Sequence, residues 1–451
     1  MEANFMSLVV MLISLIVLIV SITKFKVHPL FALIVVAIVS GFAFGIDIEE
    51  VIPIVMRGFG NTIGNIGIVI ILGYTIGVFL EETGGALVLA NSILRIVGKS
   101  RSPLAMALSG YLVSIPVFSD SAIVLLNPVA RSLSARSGVP LVALVGSLNA
   151  GIMATHTIVP PTPGPLVAAG TLGADLGMLF ALGLIPCLAY ALAGMWWSSS
   201  KFVAGKYPEP AQVEGLDEVM GDDFTIKSDR KLPSTAMTFA CILVPVILIC
   251  LNSFGRMLMA EDTAILPFLG IIGHPIVALG MGVVICFFLD TSYLNKEKIA
   301  AFFGKAVDGS GFIVLATGAA GSYGLILRES GVGEYLGNLI AATPLPAIFV
   351  PFLVACLLVI SNGSATVTLA TGSAIILPLM SYLGLHPVIA CLALSAGASF
   401  AYHTNASHYW VVVKANNFTE KMGFGVVTGG TAVGSVAAFL VVWVMSIFIT
   451  V

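Results

Sequence analysis

The 451-residue chain reads as an all-α polytopic membrane protein made of two inverted repeats, each with five crossings and one re-entrant hairpin. Three observations predict this. Only 10% of the residues are charged and 58% are hydrophobic, where soluble domains carry roughly 25% charged residues. Apolar windows long enough to cross a bilayer recur along the whole chain. Polar landmarks of the first half return in the second half at one constant offset. A mean hydropathy of +1.07 makes lipid the solvent and excludes soluble enzymes and nucleic-acid binders. The net charge of -3 discriminates nothing further.

A helix crossing a ~30 Å hydrocarbon core needs ~20 apolar residues. Such windows fall near 5–22, 29–46, 60–80, 139–158, 176–198, 234–251, 267–289, 310–327, 387–412 and 425–450. The first, Ser7 to Ile22, lacks a basic leader and a small-residue cleavage site and reads as a retained helix, not a signal peptide. Two further apolar stretches, 103–133 and 344–383, are interrupted at Ser119-Asp-Ser121 and Ser361-Asn-Gly-Ser364. They read as hairpins that enter the membrane, turn and leave on the same side. With the N-terminus outside, every basic residue except Arg57, Arg256 and Arg328 faces the cytoplasm. The positive-inside rule therefore puts both termini outside.

The polar stretch 200–233, with Pro208, Pro210 and a Glu-Gly-Leu-Asp-Glu run, divides a first repeat, 1–199, from a second, 234–451. Gly77-Val-Phe-Leu-Glu-Glu-Thr-Gly84 returns as Gly324-Leu-Ile-Leu-Arg-Glu-Ser-Gly331, 247 residues later. Leu89, Asn91 and Ile93 match Leu336, Asn338 and Ile340 at that offset, Asn61 matches Asp308, Pro140 matches Pro387, and His156-Thr157 matches His403-Thr404. An odd number of crossings per repeat inverts the second relative to the first. Inverted repeats with interrupted helices are the build of secondary transporters.

The chemistry-bearing residues cluster at the interruptions. Asp120, flanked by Ser119 and Ser121, opens the returning limb of the first hairpin. A half-helix N-terminus offers free N–H groups and partial positive charge to an anion, and a lone intramembrane acid is a candidate proton carrier. It equally reads as an N-cap. The crossing with His156 and Thr157 runs into Pro160-Pro-Thr-Pro-Gly-Pro165, which ends the helix. Unwound backbone at membrane depth lines a cavity or is buried in protein. Asn362, Ser364 and Thr366 supply an amide and hydroxyls at the second hairpin. His403, Thr404, Asn405 and Ser407 form the densest polar cluster in any span, while His408, Tyr409 and Trp410 read equally as interfacial anchors. The six cysteines, all in apolar runs and with no C-x-x-C, read as small core hydrophobes. No metal or cofactor is implied.

Several stretches together carry a family resemblance. They are Lys24-Phe-Lys-Val-His28, Leu80-Glu-Glu-Thr-Gly-Gly85, Ile115-Pro-Val-Phe-Ser-Asp120, Thr155-His-Thr-Ile-Val-Pro-Pro-Thr-Pro-Gly-Pro165, Thr171-Leu-Gly-Ala-Asp-Leu-Gly177 and Gly363-Ser-Ala-Thr-Val-Thr368. In this order they resemble the gluconate permease (GntP) family of the ion transporter superfamily over nearly the whole chain. The resemblance implies proton-coupled uptake of sugar acids such as gluconate, relatives taking related hydroxy acids, citrate or D-serine. It also implies a homodimer and an elevator-type mobile region that carries both hairpins and both unwound crossings. Two positions depart from the family pattern: Ala406, where an acid commonly follows the Asn, and Thr162, where His is frequent.

The sequence thus reads as a symporter of the bacterial plasma (inner) membrane for gluconate or a similar small organic anion. Asp120 is its proton-linked carboxyl. The candidate substrate ligands are Ser119, Ser121, His156, Thr157, Asn362, Ser364, Thr366, His403, Thr404, Asn405 and Ser407. The alternatives are a sodium-coupled dicarboxylate or citrate carrier, a cation/proton antiporter, and a channel.

Overall fold

The computed structural model describes residues 5–98, 101–212, 231–260, 263–289, 295–335 and 345–450. Among them every regular element is helical. The first half contains α1 (Phe5–Thr23), α2 (Pro29–Ala43), α3 (Ile48–Thr83), α4 (Gly85–Val97), α5 (Ser102–Val113), α6 (Ser119–Ser137), α7 (Leu141–Ile158), α8 (Pro163–Leu172) and α9 (Leu176–Ser198). The second half opens with α10 (Thr235–Leu258), α11 (Leu266–Ile272), α12 (Pro275–Cys286) and α13 (Lys296–Glu329). Then follow α14 (Phe349–Asn362), α15 (Ala365–Ile376), the short α16 (Met380–Leu383) and α17 (Pro387–Gly397). The chain ends with α18 (Ser407–Ala415), α19 (Glu420–Gly423), a π-helical turn at Phe424–Gly429 and α20 (Gly430–Phe448).

Helix starts recur between the halves. Those of α3, α5, α6 and α7, at 48, 102, 119 and 141, return at 296, 349, 365 and 387 as α13, α14, α15 and α17. The matches at Leu336, Asn338 and Ile340 lie outside the described residues, as do residues 213–230 of the divider. The described start of the divider folds back on the first half. There the Glu209 carbonyl accepts from Leu141 N, and Ala211 N donates to Ser134 Oγ.

Eight helices among the described residues are long and apolar enough to cross a membrane, or nine if α11 and α12 count as one span bent by 54°. Ten windows predicted ten crossings and a hairpin at 344–383. The eight instead include Ala365–Leu383 from that hairpin stretch and leave out the windows 29–46, 387–412 and, unless the bent pair counts, 267–289. The missing windows have local causes. The 15 residues of α2 rise only ~22 Å at 1.5 Å each. Helix α17 ends after 11 residues, where the chain breaks at 398–406. The window 60–80 is the inner part of a 36-residue helix, because Asp47 accepts from Glu49 N and begins α3 well before the apolar stretch.

Small residues let the long helices meet backbone to backbone. A Cβ on Gly321 of α13 would lie 2.7 Å from the Gly58 carbonyl oxygen of α3, and Ser322 Oγ donates to the Val55 carbonyl. Likewise a Cβ on Gly151 of α7 would collide with the Ala107 carbonyl of α5. Helix α7 is buried almost throughout and stands at the centre of the bundle.

Candidate functional site

The first interruption is a tight turn between α5 and α6. Ser114 Oγ donates to the Val117 carbonyl, and the Pro116 carbonyl packs where a side chain on Gly77 of α3 would stand. This fixes Phe118 at the N-cap of α6, without any side-chain cap, and places Asp120 in the first turn. Its carboxylate reaches across to the second half. Oδ1 lies 2.9 Å from His408 Nδ1, and Ser407 Oγ donates to Oδ2 at 3.2 Å. The His408 side chain is 4% exposed, the Asp120 side chain 45%.

His408 continues the chain of contacts into α7. Its Nε2 lies 2.7 Å from Asn149 Oδ1. Asn149 is fully buried, and its Nδ2 has no partner. His156, seven residues on and so about two turns along the same face, packs edge-on against Phe118 with ring centroids 6.0 Å apart. Its buried Nδ1 is likewise unpartnered.

The α7–α8 break closes on itself. Thr162 Oγ1 donates to the Val159 carbonyl, leaving the N-terminus of α8 without a side-chain cap. A Cβ on Gly164 would touch Leu369 and lie 3.6 Å from the Thr366 Cα, so α8 begins against the second hairpin. In that hairpin Asn362 is engaged on both sides. Nδ2 donates to the Leu358 carbonyl and to Thr368 Oγ1, while Oδ1 accepts from Ser364 N. Ser364 in turn caps α15 through Val367 N. Gly363 stands between them at φ 68°, in the left-handed region that favours glycine.

The second hairpin is latched to the break after α17. The Ile360 carbonyl accepts from Asn405 Nδ2 at 2.8 Å and lies 3.0 Å from His403 Nε2. Thr404, Asn405 and Ser407 are exposed, and the Thr404 carbonyl accepts from Trp410 Nε1. Ala406 is buried against the tip, in line with its small side chain.

The predicted residues therefore fall into two connected groups. Asp120 and Ser407 meet at the N-termini of α6 and α18. Asn362, Ser364, Thr366, His403 and Asn405 surround the second tip. Thr157 stands apart, fully buried with its hydroxyl on the Met153 carbonyl. Ser119 is buried and Ser121 half-buried beside Asp120. Two participants went unassigned in the sequence: Asn149, and His408, which with Tyr409 resembled an interfacial anchor. Both His408 and Tyr409 are buried. The signal for Asn149 is faint, a single amide in an otherwise apolar helix two turns before a histidine.

A family model described as GntP family permease matches residues 6–448. The chain belongs to the GntP permease family. It is a permease and not an enzyme. The chain is 33% identical over 412 residues to an uncharacterized permease of Haemophilus influenzae, covering 89% of this chain and 84% of the relative. To the gluconate permease of Pseudomonas aeruginosa it is 32% identical over 440 residues, covering 97% and 96% of the two chains. The solved structure of MtrF from Neisseria gonorrhoeae, described as representing a class of antimetabolite efflux pumps, superposes with a TM-score of 0.68 at 12% identity. That superposition covers 95% of this GntP-family chain and 97% of the other, and shows a shared transporter fold.

Proposed function

We propose that this GntP-family permease is a proton-coupled symporter of the bacterial plasma (inner) membrane for gluconate or a related small hydroxy-acid anion. The observation that carries the reading is the seat of Asp120. Helices α6 and α18 meet there with their N-termini, neither bearing a side-chain cap, so two partial positive charges point at one place. Ser407 brings its hydroxyl to the carboxylate, exposed Thr404 and Asn405 precede it in the break before α18, and Asp120 supplies a half-exposed titratable carboxyl. An anion fits the positive helix ends, a polyol fits the hydroxyls and amides, and the carboxyl is the proton-linked group. Ser119, Ser121, His156, Thr157, Asn362, Ser364 and Thr366 complete the proposed ligand shell, directly or by shaping the tips.

The recurrence of helix starts between the halves supports a repeat, and the basic residues support both termini outside; inversion and re-entrant hairpins complete the proposed architecture. We assign the hairpins and broken helices to the mobile part of an elevator, in a homodimer. Uptake of labelled gluconate into proteoliposomes under an imposed pH gradient or an imposed Na⁺ gradient tests the function. Accumulation driven by the pH gradient alone is expected. Accumulation driven by Na⁺ overturns proton coupling, and none under either gradient overturns gluconate as substrate.

A further inference from the structure

Asp120 does not stand alone: it is the first member of a three-residue chain, Asp120–His408–Asn149, that runs from the exposed seat to the buried face of α7. We propose that the coupled proton is held by Asp120 and His408 as one unit, and that Asn149 is a positioning residue whose amide turns over as that unit loads and unloads. This rests on the proton-coupled reading above.

The inventory of donors and acceptors leads to it. As placed, Asn149 presents to His408 Nε2 a carbonyl oxygen, which only accepts. Nε2 therefore carries a proton. The contact between Nδ1 and Asp120 Oδ1 at 2.9 Å requires another proton, on one atom or the other. In this loaded state the pair is neutral overall. Removing the second proton leaves a carboxylate and an imidazole with one N–H. The carboxylate draws that N–H to Nδ1, and the bare Nε2 then faces the Asn149 oxygen, acceptor against acceptor. A half turn of the amide brings Nδ2 to Nε2 and restores a donor. The turn breaks no hydrogen bond on the far side, because Nδ2 is buried without a partner.

The charge of the unit gates the substrate. Unloaded, it places one negative charge at the meeting point of the α6 and α18 N-termini, where it repels a second anion. Loaded, it is neutral, and the helix ends are free to hold a carboxylate. Proton and anion thus enter together. The other titratable groups that face the unit are His156 on α7 and Tyr402 in the α17–α18 break. Neither makes a hydrogen bond to the pair, so each adds field without joining the chain.

Titration calorimetry of the purified full chain with gluconate, in buffers of different ionisation enthalpy, counts protons taken up on binding. Wild type is expected to take up protons. His408→Asn is expected to lose that uptake, and Asn149→Leu, which can neither accept from nor donate to Nε2, to reduce it. Wild-type proton uptake in a folded His408→Asn overturns the proposal. If that variant does not fold, wild-type uptake in Asn149→Leu overturns it. Gluconate binding by wild type without proton uptake overturns the coupling reading and this one with it. If gluconate does not bind, the sugar-acid reading fails separately. Infrared difference spectra across pH then decide the pair without a ligand. Coupled shifts of carboxyl and imidazole bands that Asp120→Asn or His408→Asn abolishes support it, and independent bands overturn it.

Discussion

His408 Nδ1 lies 2.9 Å from Asp120 Oδ1, a contact that joins the first hairpin to the last broken helix across 288 residues of sequence. It brings a titratable pair to a place where two uncapped helix N-termini meet, and four expected outcomes follow from this geometry and its surroundings.

Replacing Asp120 with Asn removes the titratable carboxyl from the proposed coupling unit while keeping a side chain of similar size. Accumulation of gluconate driven by a pH gradient in proteoliposomes should fall to the level of protein-free vesicles. Unchanged accumulation would show that the proton travels elsewhere.

Gly363 sits at φ 68°, and a Cβ there would lie 2.8 Å from the Asn405 carbonyl oxygen. Gly363→Ala combines left-handed backbone strain with a clash against the latch of the second hairpin. A destabilisation of about 1–3 kcal/mol is expected, read as a lower melting temperature together with reduced uptake. A variant as stable as wild type would mean the tip is not held in this conformation.

The ion pair between Glu82 of α3 and Lys305 of α13 is partly exposed at both ends. Water and salt screen it, so a double-mutant cycle with Glu82→Gln and Lys305→Met should give a coupling of no more than about 1 kcal/mol. A much larger coupling energy would place the pair in a drier setting than the bundle provides.

Five of the six cysteines are buried, and Cys250 is partly accessible. A membrane-impermeant maleimide should label folded protein at Cys250 or not at all, and label all six after denaturation. Rapid labelling of Cys187 or Cys391 in native vesicles would contradict the packing around α7, α9 and α17.

The segregation of the chain was legible at the level of elements. Apolar windows and proline or polar interruptions located the helix interruptions before α6, α8, α15 and α18 because the bilayer filters composition directly. Helix lengths were not, since α3 continues past its apolar window on the strength of a cap at Asp47 and α17 stops short of a full crossing. Asp120 stood out as a charged residue in an apolar run, but its N-cap reading fails: Phe118 takes the N-cap of α6 and Asp120 lies in the first turn. His408 did not stand out, because a histidine beside Tyr409 and Trp410 has the same local pattern whether it anchors at a membrane surface or points inward.

By itself, the sequence determined that the chain carries many apolar helices able to cross a membrane, where those helices break, and which family motifs it bears. These are properties of composition and spacing along the chain, and hydrophobic burial acts on them residue by residue. Only the tertiary structure decided that Asp120, Ser407, His408 and Asn149 join in one chain of polar contacts, while Thr157 turns its hydroxyl back into its own helix. Hydrogen bonds form between atoms within about 3 Å of each other, and proximity between residues 120, 149 and 408 exists only once α6, α7 and α18 have packed.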